Sequence, residues 1–178
     1  MPDEVQKVTI DPVNILKIVI LAGAVIGLLS LFLAWFSTEF LWYRIDYAGY
    51  DFYFKGLEHP PPYPAVGYYA YMPFVVFAAA AAAAVCAVFA IIRKNGRTAV
   101  LCLLLGIIMI VAVILYITFP ESLMVFSAGD VGLVTDIKLS EYQSAGFYFA
   151  AAGSILVISG GAALLLYGKT HPDVRKAE

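Results

Sequence analysis

The sequence predicts an all-α membrane protein: a four-transmembrane-helix bundle with a small extracellular β-rich cap built from its two external loops. Three observations predict it. Of 178 residues, 62% are apolar and 13% charged, against roughly 25% charged in an ordinary soluble domain. The charges cluster, leaving windows without Asp, Glu, Lys or Arg at 18–38, 60–92, 98–120 and 142–168. Each window is at least 21 residues long, and a helix needs about 20 to cross the hydrocarbon core. Lastly, the cations divide unequally between alternate connections, as set out below. Residues 1–178 make one bundle, a single domain rather than two.

The first span covers residues 14–36, with Pro12 near its start, where a missing N–H costs least. Ala22-Gly23-Ala24 has the form of a signal-peptidase site, but Asp3, Glu4 and Asp11 precede the apolar run, which continues to Phe36. A signal peptide has a basic start and a short apolar core, so the segment reads as an uncleaved span. The second span, 67–92, runs into the basic turn Arg93-Lys94-Asn95-Gly96-Arg97. The third, 98–119, stops at Pro120, and the fourth, 142–167, ends in Gly168-Lys169, a glycine stop followed by a cation.

With the amino terminus cytoplasmic, that side holds Lys7, Lys17, Arg93, Lys94, Arg97, Lys169, Arg175 and Lys176, and the other only Arg44, Lys55 and Lys138. Eight against three is a positive-inside bias that puts both termini in the cytoplasm of a multi-pass cell-membrane protein. Lys17 lies close enough to that end to snorkel.

The external loops, 37–66 and 120–141, are acidic and rich in large hydrophobes. Asp51-Phe52-Tyr53-Phe54-Lys55 alternates, with both phenylalanines on one face and both charges on the other. Residues 40–47 favour strand and Ala48-Gly49 can turn between the two runs, which is a hairpin signal. A two-stranded hairpin is marginal in water, so a third strand is expected from residues 131–139 of loop two.

Small residues mark the helix faces: Gly23 and Gly27 in span one, Gly106 in span three, and Gly146, Gly153 and Gly160 with Ala150 in span four. Lipid gives apolar helices no hydrophobic reason to associate, so close backbone approach at such residues is the main packing device. Those contacts serve either the bundle itself or a neighbouring subunit. The aromatics Trp35, Trp42, Phe52, Phe54 and Tyr63 gather on the external side, as a headgroup belt or as an interface with a partner.

Chemistry-bearing constellations are missing from the sequence. No Asp, Glu, Arg or His falls at mid-membrane, where ion-coupled transport or a proton relay would need one. The hydroxyls of Ser30, Thr118, Ser144, Ser154 and Ser159 could line a channel, or bond to their own helix backbone. His59 and His171 lie on opposite sides of the membrane and cannot share a metal, and no span carries a haem-ligating histidine. A site of His59 with Glu58 and Asp51 reads better as a solvated surface. Cys86 and Cys102 read as small buried hydrophobes. No cofactor and no enzymatic activity are expected, and a net charge of −2 speaks against nucleic acid.

Trp35 closing span one and Leu41-Trp42 in the loop after it, set in this four-span layout, resemble the claudin-type tetraspan proteins. That family's first loop carries a cysteine pair, and this loop has none. The resemblance implies an external β-sheet from both loops and a role in adhesion or assembly. The expected function is a non-catalytic integral membrane subunit for lateral assembly, adhesion or scaffolding, a homo-oligomer or part of a larger membrane complex. An accessory subunit of a membrane enzyme or respiratory complex, and a small channel or carrier for an uncharged solute, are the alternatives. In intact cells an impermeant thiol reagent should label a cysteine introduced at Asp51 and not one at Asn95; labelling at Asn95 reverses the orientation.

Overall fold

A computed structural model of the chain describes residues 11–40, 43–51, 71–93, 98–118, 122–124, 136–138 and 143–170. Four helices dominate it: α1 (Pro12–Ser30), α2 (Met72–Arg93), α3 (Thr98–Thr118) and α4 (Ala145–Thr170). All four are long and apolar enough to cross a membrane. Four short strands, β1 (Ala34–Phe40), β2 (Tyr43–Ala48), β3 (Ser122–Met124) and β4 (Asp136–Lys138), lie in the connections.

The helices form a ring in which α1 packs on α2 and α4, and α3 packs on the same two. Neighbours run antiparallel. Gly23 meets Gly153 while Gly160 meets Ile20, and Gly106 meets Ile158 while Gly161 meets Leu103. The α1 start, the α2–α3 connection and the α4 end therefore share one end of the bundle, and the strands belong to the other. The core is narrow because one face of α2 is alanine: Ala79, Ala80, Ala83, Ala87 and Ala90 are all buried. Larger side chains from the other helices fill the middle, among them Ile20, Met109, Val113 and Val157. Outward faces stay aliphatic, with Val25, Leu29, Ile107, Ile108, Val111, Ile155 and Leu166 exposed. Lipid tails are as apolar as these side chains, so such faces suit a bilayer.

At the start of α1, the Asp11 carboxylate accepts from the Val13 N–H at 3.0 Å, with Pro12 in the first turn. This satisfies one of the orphan donors of a helix start. Lys17 is not at a snorkelling position. It is 2% exposed, on the same stripe as Val13, Ile20 and Ala24, because steps of four and three return to one side of a helix.

The first helix ends earlier than expected, at Ser30 rather than residue 36, in a tight turn where Phe32 N–H donates to the Leu29 carbonyl and Leu33 N–H to the Ser30 carbonyl. The Trp35 indole N–H donates to the Ser30 carbonyl at 2.7 Å. That carbonyl would take the Ala34 N–H if the helix continued. Instead Ala34 opens β1, which pairs antiparallel with β2. Ala34 faces Ala48 and Phe36 faces Tyr47, so Trp35 is an extra residue on β1. A bulge of this kind re-aims a side chain, and here the indole is fully buried (0% exposed).

The expected hairpin is thus displaced along the chain. Its strands are Ala34–Phe40 and Tyr43–Ala48, so Ala48-Gly49 lies at the far end of the second strand instead of joining the two. Gly49 N–H donates to the Leu33 carbonyl at 3.2 Å and Tyr50 N–H to the Leu31 carbonyl at 3.3 Å. These bonds fold the chain back onto the end of α1. Asp51 was assigned to an open charged face, yet it is buried, and its carboxylate accepts from the Ala48 N–H at 3.0 Å. Residues 52–55 lie outside the described segments. Residues 136–138 form a strand, but it pairs with Ser122–Met124 in a separate two-stranded sheet and does not extend the hairpin. The segment just before α4, expected as the start of the fourth span, reaches the hairpin instead: Gln143 bridges to Phe36, and Ser144 N–H donates to the Trp35 carbonyl at 3.1 Å.

Trp35→Ala should lower stability by about 3–5 kcal/mol, and Trp35→Phe, which loses the indole donor and part of the ring volume, by less. Thermal unfolding in mild detergent measures both, and equal losses would show that a smaller aromatic ring does not replace the indole in this pocket. Asp51→Ala should also destabilise the protein, and because Asp51 is buried the external label belongs on the exposed Tyr50.

Candidate assembly surfaces

The seam between α1 and α4 is the closest contact in the bundle. A Cβ placed on Gly23 would lie 2.7 Å from Leu156 Cβ and 2.8 Å from the Gly153 carbonyl oxygen. One placed on Gly153 would lie 2.7 Å from the Gly23 carbonyl oxygen and 2.8 Å from Gly27 N. Backbone faces backbone here, so neither side can yield by turning a rotamer. Further along the seam a Cβ on Gly160 would meet Ile20 Cγ1 at 2.7 Å. Gly27 also faces the interior, where its added Cβ would fall 2.5 Å from Met109 Cε and 3.1 Å from Ala80 Cβ. On the opposite side of α4, Gly106 abuts Ile158 and Gly161 abuts the Leu103 backbone.

These glycines are therefore occupied within the chain. Of the two uses their spacing allowed, contact inside one bundle accounts for Gly23, Gly27, Gly106, Gly153 and Gly160 as they stand. Gly146 differs. It sits where α4 begins, and a Cβ there would be 2.5 Å from Trp35 Cδ1 and 2.7 Å from the Leu33 carbonyl oxygen.

Trp35 fills that space. Its ring stands edge-on to Tyr116 (centroids 5.1 Å apart, 75°) and to Phe147 (6.3 Å, 82°), an arrangement aromatic pairs favour. Gly49 closes the pocket, with a Cβ position only 2.9 Å from Trp35 Nε1. Sequence reading put Trp35 on an external interface; with no exposed surface it belongs to the core instead. Trp42, Phe52, Phe54 and Tyr63, assigned to the same interface, lie outside the described residues. Other aromatics do remain exposed at the hairpin end: Phe32 (62%), Tyr50, Tyr71, Tyr148 and Phe149. Phe32 lies tilted against Tyr50 and edge-on to Phe77, so part of this group is in mutual contact. Sequence reading missed it because Phe32 sat inside the expected span and Tyr148 and Phe149 inside the fourth.

Four of the five hydroxyls considered for a solute path bond to their own helices. Ser30 Oγ donates to the Gly27 carbonyl at 2.7 Å and Ser154 Oγ to the Ala150 carbonyl at 2.6 Å, both fully buried. Thr118 and Ser159 do the same at exposed positions, and the Ser144 backbone is taken by Trp35. Among the described residues no group of three or more His, Cys, Asp and Glu is placed to hold a metal.

Compared with family models, curated proteins and solved structures, the chain matches none. The four apolar helices fit a tetraspan topology. No match supports the claudin-type likeness beyond that.

Gly27→Leu and Gly153→Leu should each weaken the fold strongly, while Gly168→Leu, with nothing within 4 Å of its added Cβ, should be neutral. Detergent melting curves compare the three, and a neutral Gly153→Leu would mean the seam is not as close as drawn.

Proposed function

We propose that this chain is a non-catalytic multi-pass membrane subunit that acts by lateral assembly, with copies of itself or within a larger membrane complex. The observation that carries this reading is a division of surfaces. The small-residue faces are consumed between the protein's own helices, while large aromatics stand exposed at the hairpin end. A partner would meet that end rather than the glycine faces. Rings at such a position give contact area with little rotamer entropy to lose, which is why they anchor interfaces. In this reading the termini are cytoplasmic and the hairpin end external. The β1–β2 and β3–β4 hairpins, with Trp42, Phe52, Phe54 and Tyr63 in the loops, then make a cap that presents the docking surface. The inward-turned bonds of Ser30 and Ser154 favour assembly over a hydroxyl-lined solute path.

Purification from the native membrane in mild detergent should give a complex larger than one chain. Tyr148→Ala with Phe149→Ala should shift it toward monomer without lowering the melting temperature by more than about 3 °C, the scale of roughly 1 kcal/mol in a domain of this length. A monodisperse monomer that recovers unchanged from lipid nanodiscs would overturn the assembly reading.

A further inference from the structure

We draw no further inference here: the strongest candidate, the thiols of Cys86 and Cys102 on the packed helices α2 and α3, carries nothing, because Cys102 is buried in the apolar core and no third His, Cys, Asp or Glu joins the pair among the described residues to make a metal site.

Discussion

One hydrogen bond organises the end of the bundle that carries the strands: the Trp35 indole N–H to the Ser30 carbonyl. A buried indole N–H left without an acceptor would cost on the order of 1–3 kcal/mol, so the ring goes where a carbonyl can accept it. The last turn of a helix offers such carbonyls. Trp35 shares Ser30 O with the Leu33 N–H at the end of α1 and sits in a bulge of β1. The ring then lies against Tyr116 of α3 and Phe147 of α4, under Gly49 from the return of the hairpin. Four parts of the chain meet on one side chain. Gly146 is required at that point because any larger residue would displace the ring.

Away from this end, cohesion has a different origin. Apolar side chains gain little from leaving lipid for a protein interior, so helix association depends on dispersion and close approach. The α1–α4 seam meets that condition with glycine on both sides, and α2 meets it with a run of alanines. Contacts of this type are sensitive to volume and insensitive to polarity. The buried hydroxyls follow the same logic. A serine bonded to the carbonyl three or four residues back leaves no polar demand on its neighbours, so Ser30 and Ser154 pack as small residues would.

The helices were legible because charge-free length is a strong signal, and α3 begins at residue 98, where the third span was expected to start. The seam glycines were legible too, since spacings of three, four and seven stay on one face. Three features were not. The end of α1 is a tight backbone turn, with a side chain reaching five residues back to it, which no apolar pattern records. The hairpin register was drawn toward the alternation at residues 51–55, whereas Asp51 uses its carboxylate to hold Ala48 at the end of β2. Strand β4 has three residues, too few for alternation to name its partner. Lys17 is a separate case: its place on the stripe with Val13 and Ile20 was readable, but its charge and nearness to the helix start argued for the surface.

The α1–α4 seam joins the first described helix to the last. A ribosome delivers these helices in order, at about 5–20 residues per second, so α1 is made well before its tightest partner exists. Until α4 emerges, Gly23 lacks the backbone it packs on, and Trp35 lacks Phe147 and the Ser144 amide. The hairpin after α1 is therefore made before the α4 residues that pack against Trp35. The α1–α4 seam can close only after α4 is made, so residues near the start of the chain wait for partners near its end.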